Sequence, residues 1–247
     1  TPATGFASVA SRSMALASGA ISLTADAVID KGRKLAGHVL EAAEADIEYA
    51  DGSFSVAGTD RTVSIFDLAE QAKSMGALPD GVPISLDSEE DFVSPEQTYP
   101  NGCHICEIEI EPETGVVDVL NYVAVDDCGT VINPMIVHGQ VHGGVAQGLG
   151  QVLGEHAIYD DDGQLLAGSF MDYMMPRADD IPGMKLGFHS VPCTTNPVGA
   201  KGAGEAGTTG ALAAGMNAII DALSTRGITE MDMPATPPRI WSVLNRD

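Results

Sequence analysis

Residues 199–207 read GAKGAGEAG, which sets a single carboxylate, Glu205, among glycines and alanines just before a long run of small, helix-forming residues. Glycine lets a backbone approach a ligand or another chain segment closely and tolerates positive φ. The start of a helix offers unpaired N–H groups and a partial positive charge. A lone acid at that place can therefore cap the helix or stand as a positioned general base. The same segment contains Gly202-x-Gly204-x-x-Gly207, a literal match to the dinucleotide fingerprint. Too little chain remains after Gly207 to complete a βαβ unit, and that remainder runs into a proline-rich tail. A Walker-type phosphate loop is excluded, because Lys201 is followed by Gly202 rather than by Ser or Thr.

A second concentration of chemistry lies around Gly139-Gln140-Val141-His142-Gly143-Gly144. Glycines at 139, 143, 144, 148, 150 and 154 recur at four-residue spacing, each costing roughly 1 kcal/mol relative to alanine inside a helix. Such a stretch makes a flat face for close contact with another helix or a ligand. Gln140 and Gln147 each donate and accept, which suits the edge of a heteroaromatic ring. His138 and His142 are spaced as a metal pair, but no HExxH pattern or third ligand accompanies them. Cys103-His104-Ile105-Cys106 resembles a metal knuckle on paper; in an alternating strand its two thiols point to opposite faces, and no second CxxC exists. Ser11-Arg12-Ser13, following small residues, offers hydroxyls, N–H groups and a guanidinium suited to an anion, or forms an ordinary polar loop. Asp126-Asp127 at a strand end and Asp160 to Asp162 in a turn read as solvated or capping acids.

These residues need elements to carry them. Residues 1–20 read as loop, and the spacing of Leu23, Ala27, Val28, Leu35, Val39 and Leu40 predicts a helix over 22–46. IEYADGSFSV predicts a hairpin turning at Asp51-Gly52. Ser-x-x-Asp at Ser64 predicts a short helix to Met75, followed by a long connection over 76–102. Alternation over 103–110 and 116–125 predicts a second hairpin around EPETG. Asn133-Pro134 opens the glycine-rich helix. A short strand, an acidic turn at 160–163, an irregular stretch through Pro182, a strand MKLGFHSV and a last helix from Glu205 to Leu223 complete the chain. Strands and helices mix without a βαβαβ rhythm, so the fold class expected is α+β.

The chain has 247 residues, with 12 Lys+Arg against 35 Asp+Glu and a net charge of -23. So few cations among so many acids could not neutralise the phosphates of a duplex, which argues against a nucleic-acid partner and against an anionic membrane surface. A hydrophobic content of 44% fits a globular domain, and no apolar run approaches the roughly 20 residues of a transmembrane helix. Four cysteines, Cys103, Cys106, Cys128 and Cys193, are too few for a disulfide scaffold, and a cytoplasmic location is the default.

Together, GFASVASRS, VDDCGTVINPMIVHGQVHGGVAQGLGQ, GSFMDYMMPRADDIP and GAKGAGEAG, in this order, resemble the molybdenum hydroxylase family. That family includes xanthine dehydrogenase, aldehyde oxidoreductases and the large subunit of aerobic carbon monoxide dehydrogenase. The resemblance covers nearly the whole chain and is nearest the carbon monoxide dehydrogenase-like bacterial branch. It implies the second, C-terminal molybdopterin-binding domain of a longer large subunit, with two subdomains expected at about 1–100 and 101–247. It implies Glu205 as the catalytic glutamate, which takes the proton from a hydroxyl on molybdenum. It implies Gln140 as a hydrogen-bond partner of the molybdopterin. Ser8, Val9, Ala10, Ser11 and Arg12 fall on the loop contacting its phosphate and nucleotide extension, and Lys201, Gly202, Ala203 and Gly204 on the floor near the metal. The metal itself would be held by the pterin, with no protein ligand. In carbon monoxide dehydrogenase proper a cysteine in an upstream loop binds copper, and none of the four cysteines here matches it.

The implied cofactor is molybdopterin cytosine dinucleotide, with 2Fe-2S clusters and FAD on small and medium partner subunits, in a dimer of heterotrimers. The implied reaction is oxidation of an aldehyde, an N-heteroaromatic or a similar small substrate with water as the oxygen source. The start at Thr1 without a Met reads as a fragment, expected to be inactive and to bind cofactor poorly without the remainder of the large subunit. Two other readings stand beside it: a non-catalytic ligand-binding or assembly module that keeps the fold, and a nucleotide-binding dehydrogenase, weakened by the missing βαβ unit.

Overall fold

A computed structural model describes residues 7–245. They form two compact units: Leu16–Pro95, and the segment up to Ala15 together with the chain from Glu96 onward.

In the first unit, helix α1 (Ser13–Val39, of which the part from Leu16 belongs to this unit) is followed by a three-stranded antiparallel sheet in the order β1 (Ile47–Ala50), β2 (Ser53–Val56), β3 (Thr62–Ser64), and by helix α2 (Ile65–Ser74). Asp51 and Gly52 both have positive φ (49° and 78°), the primed turn whose twist suits a two-residue hairpin. Ser64 caps α2 by accepting the Asp67 N–H at 3.0 Å. Leu35, Ala36, Ile47, Phe54 and Leu68 are central to its core. Residues 75–100 contain no helix or strand.

The second unit is built on a sheet in the order β4 (Asn101–Ile110), β5 (Val117–Asp127), β6 (Met184–Phe188). β4 and β5 form the expected antiparallel hairpin, whereas β6 lies parallel to β5. A parallel pair needs a crossover. Here helix α3 (Pro134–Leu153) and the irregular segment after it provide one. Helix α4 (Ala206–Ser224) packs on α3, and helix α5 (Pro237–Leu244) closes the far end. Tyr122 and Ala124 of β5, Val141, Val145 and Leu149 of α3 and Ala211 of α4 form one buried cluster; Val152, Met216, Ile219, Leu223 and Ile240 form the next. The α+β class expected from the mixed pattern is what the molecule has.

Four local expectations need correction. The first helix begins at Ser13, not Ser22, because Met14, Ala15, Leu16 and Ala17 are strong helix formers despite the small polar residues between them. It ends at Val39, and only a 3-10 turn, Glu44–Asp46, occupies the end of the span expected to be helical. Between α3 and β6 the expected short strand is absent, and only a single bridge joins Tyr159 and Leu165. The helix ending near Leu223 is not the last: the proline-rich tail contains a further one, Pro237–Leu244, with Pro237 and Pro238 in its first turn, where a missing N–H costs nothing. The loop reading of residues 1–6 lies outside the described residues.

Candidate functional site

The site is assembled from three segments that the chain separates widely. The loop before α1 turns through two consecutive non-glycine residues of positive φ, Ala10 (55°) and Ser11 (51°). Such residues cost of order 1–3 kcal/mol each and persist where the surroundings hold them. Ser8 Oγ lies 2.5 Å from Ser13 Oγ, closing the loop onto the start of α1.

The glycine loop is held against the end of β5. Asn196 is buried and clasps Ala200 twice: its Nδ2 donates to the Ala200 carbonyl at 2.8 Å, and the Ala200 N–H donates to its Oδ1 at 3.0 Å. The Lys201 N–H donates to the Cys128 carbonyl at 2.8 Å, and the Thr130 N–H to the Gly199 carbonyl at 2.9 Å. Lys201 Nζ pairs with Asp127 Oδ2 at 2.5 Å, with both side chains nearly buried. Asp127 Oδ1 accepts the N–H groups of Gly129 (2.9 Å) and Val191 (3.0 Å). Burial works against the charge of Asp127. The Lys201 hydrogen bond and the Val191 and Gly129 N–H groups outweigh it and hold the carboxyl below its ordinary value.

Of the glycines in this loop, only Gly199 uses positive φ (70°). Gly202 and Gly204 serve close approach instead. A Cβ on Gly202 would meet Ser11 Cβ and its carbonyl oxygen at 2.8 Å. One on Gly204 would meet Ser11 Oγ and Gln140 Oε1, both at 3.3 Å. The loop is cut to let Ser11 and Gln140 close over it. Glu205 occupies the N-cap position of α4, yet its side chain makes no capping hydrogen bond. Its Oε2 accepts the Ser11 hydroxyl at 2.6 Å. Of the two roles its position allowed, capping is the one its carboxylate does not play.

Gln140 projects from the first turns of α3, whose N-terminus is capped by Asn133 Oδ1 accepting the Ile136 N–H. The glycines of this helix divide by task. Gly144 and Gly148 let α4 approach: a Cβ on Gly144 would meet Gly207 Cα at 3.0 Å, and one on Gly148 would meet Ala211 Cβ at 2.7 Å. Gly150 and Gly154 admit Pro176 and Met174, while Gly139 and Gly143 face open space among the described residues.

A cavity of about 480 Å³ results. Ser8, Val9, Ala10, Ser11, Gln140, Lys201, Ala203, Gly204 and Glu205 all line it, with Cys128, Thr130, Asn133 and Ile136 among the other walls. Arg12, half-buried, and Gly202, buried, are not part of this wall. The size suits a cofactor-sized ligand, and the walls are largely apolar with a few convergent polar groups. Burial pushes the Cys128 thiol up to about 11, so it stays protonated at neutral pH. Among the described residues no group of three or more His, Cys, Asp or Glu is placed to hold a metal ion. His142 Nδ1 lies 2.8 Å from the His138 carbonyl, and the His138 ring packs edge-on against Phe188.

Asp126 and Asp127, read from the sequence as solvated or capping, are 3% and 6% exposed. Asp127 is a structural acid of the site's frame. The signal that could have found it is Lys201: a lone cation in a glycine loop needs a carboxylate, and a strand ending in two acids is the place to look. Asn196 carried no such signal, since its clasp depends wholly on tertiary position.

Known proteins share both the sequence and this architecture. The model of the molybdopterin cofactor-binding domain family matches residues 1–182. The chain is 36% identical over 241 residues to the carbon monoxide dehydrogenase large chain of Hydrogenophaga pseudoflava, and 37% identical over 239 residues to the 6-hydroxypseudooxynicotine dehydrogenase complex subunit gamma of Paenarthrobacter nicotinovorans. These alignments take in 97% and 96% of this chain but 30% of each relative, so the chain spans under a third of their length. The crystal structure of quinoline 2-oxidoreductase from Pseudomonas putida 86 superimposes with a TM-score of 0.87 at 36% identity, over 98% of this chain and 31% of that one.

Proposed function

This chain belongs to the molybdopterin cofactor-binding domain family, and on that premise we propose that it is the part of a molybdenum hydroxylase large subunit that walls one side of the cofactor site and supplies its general base, Glu205. The carrying observation is the 2.6 Å hydrogen bond from Ser11 to Glu205 inside a cavity that Gln140 shares. A carboxylate held by another loop's hydroxyl, and not spent on its own helix, is oriented for chemistry.

The residues fit the group the family implies. The amide of Gln140 can donate and accept against a pterin edge. The loop of Ser8, Val9, Ala10 and Ser11 offers hydroxyls and N–H groups to a phosphate. Lys201, Ala203 and Gly204 would form the floor, with the Lys201 ammonium already engaged by Asp127. Gly202 would set how closely Ser11 approaches, and Arg12 would stand behind the loop. When bound, molybdopterin in its cytosine dinucleotide form would supply the redox centre that takes two electrons from the substrate carbon, the new oxygen coming from water. Glu205 would accept a proton at Oε1, with Oε2 held by Ser11.

The substrate class proposed is an aldehyde, an N-heteroaromatic or a comparable small molecule. The whole enzyme would include the rest of the large subunit and partner subunits carrying 2Fe-2S clusters and FAD, in a dimer of heterotrimers. Among the described residues no helix is long and apolar enough to cross a membrane. The test is to purify the full-length protein with its complex, measure molybdenum and pterin, and assay a panel of aldehydes and N-heteroaromatics in isotopically labelled water with an artificial electron acceptor. Stoichiometric molybdenum and labelled product from at least one class are expected. A metal-free protein, or a loaded one that oxidises none of them, would favour a non-catalytic binding or assembly module.

A further inference from the structure

A second cavity, of about 340 Å³, adjoins the first, and Ala10, Ser11 and Glu205 belong to the walls of both. Its other walls include Asn101, His104 and Asp126. The Asp126 side chain is 4% exposed, and its Oδ2 is buried without a hydrogen-bond partner among the described residues. Its Oδ1 lies 3.1 Å from His104 Nε2, and His104 Nδ1 lies 2.8 Å from the Tyr122 hydroxyl. Tyr122 is fully buried. Burial first, then the nearby Cys106 and Asp126, raises its hydroxyl well above the usual range, so it stays protonated and able to donate. With Tyr122 donating to Nδ1, neutral His104 carries its proton on Nε2 and donates it to Asp126 Oδ1, an assignment made from the hydrogen-bond network.

The chain makes room for this arrangement. A Cβ on Gly102 would collide with Asp126 Oδ1, and one on Gly210 with the His104 ring. Such a buried carboxylate oxygen needs a partner. The chamber has polar walls and space for several waters at about 30 Å³ each.

We propose that Asp126 is the proton acceptor for Glu205, through water in this second chamber. The inference rests on the reading of Glu205 as the base. The acid form of Glu205 gives one proton to chamber water, and that water delivers one to Asp126 Oδ2. Glu205 returns to carboxylate as Asp126 becomes a neutral carboxylic acid, and the proton then leaves by the same water to solvent. No electron moves. His104 and Tyr122 are positioning residues: the first holds Oδ1 and the second fixes the tautomer of the first. The titratable groups facing Asp126 are His104 from β4, Tyr122 from β5, Cys128 just beyond it and Glu205 at the start of α4.

Two measurements on the full-length enzyme in its complex test this. In a crystal structure that resolves ordered water, a water is expected on Asp126 Oδ2, with a chain of waters continuing to Glu205; a dry chamber, or a protein donor on Oδ2, overturns the proposal. With a substrate that the wild-type enzyme oxidises, Asp126→Asn is expected to lower kcat by about tenfold or more with KM and molybdenum content unchanged, and added formate or imidazole buffer to restore part of the rate. An unchanged kcat, or a loss that no small buffer restores, overturns it. His104→Gln, which keeps a donor toward Oδ1, is expected to lose less. Glu205→Gln separates the two readings: if it is inactive while Asp126→Asn is normal, only the relay fails, and if it is active, the base itself is misassigned.

Discussion

An acid at a helix N-cap ordinarily spends its carboxylate on the first N–H groups of that helix. Glu205 does not, because the Ser11 hydroxyl claims Oε2. The spacing of GAKGAGEAG left capping and catalysis both open. The group that engages the carboxylate lies 194 residues away, on a loop whose strained backbone at Ala10 and Ser11 presents it, and no local pattern carries that information. The glycines were legible as sites of close approach, but not what approaches: Ser11 and Gln140. If Ser11 orients the base, Ser11→Ala lowers kcat/KM by about tenfold, equivalent to about 1.4 kcal/mol of transition-state stabilisation, with molybdenum content unchanged. Ser11→Thr keeps most of the rate. Steady-state kinetics on the assembled enzyme decides it; equal rates for Ser11→Ala and wild type would mean that the hydrogen bond is incidental.

At the scale of elements, α3 shows why periodicity alone undercounts function. Its glycines repeat so regularly that one purpose would account for all of them. Gly144 and Gly148 serve the crossing with α4, whereas Gly139 and Gly143, on the turns beside Gln140, have nothing among the described residues within reach of a Cβ. Gly144→Ala therefore destabilises the protein by about 1–3 kcal/mol through overpacking against Gly207 and Thr208. Gly139→Ala stabilises it by up to about 1 kcal/mol, as an alanine in an open helical position should. Denaturant titration of the two variants tests this contrast, and a destabilised Gly139→Ala would show that this face is covered. Hairpins and caps were readable because turn and capping chemistry is local, as at Asp51-Gly52 and Ser64. The parallel pairing of β6 with β5 and the helix beginning at Pro237 were not, since one rests on a crossover and the other on packing by Ile240.

For the molecule as a whole, acidity is mostly a surface property, and the buried acids Asp126 and Asp127 both sit at the end of β5. The chain carries a net charge of -23, yet Lys201 and Asp127 form a nearly buried pair that ties the glycine loop to the end of β5. The Asp127 carboxyl is held below its ordinary value. Its contribution to stability is therefore fully present above the ordinary carboxylate range, and is lost as the pH falls through that lowered value. Asp127→Asn leaves the Lys201 charge buried and uncompensated, which costs about 3–5 kcal/mol at neutral pH. It also flattens the acid limb of the stability curve, and thermal melts from neutral to acid pH measure both effects. An unchanged acid limb would mean that the pair is not what holds the loop. The chain spans 30% of the length of the relatives it matches. On the function proposed above, what this portion brings is the base. The decisive experiment is Glu205→Gln in the full-length, assembled enzyme, with turnover and molybdenum measured on the same preparation. Turnover is expected to vanish with molybdenum near the wild-type level; turnover near wild type would show that Glu205 is not the base.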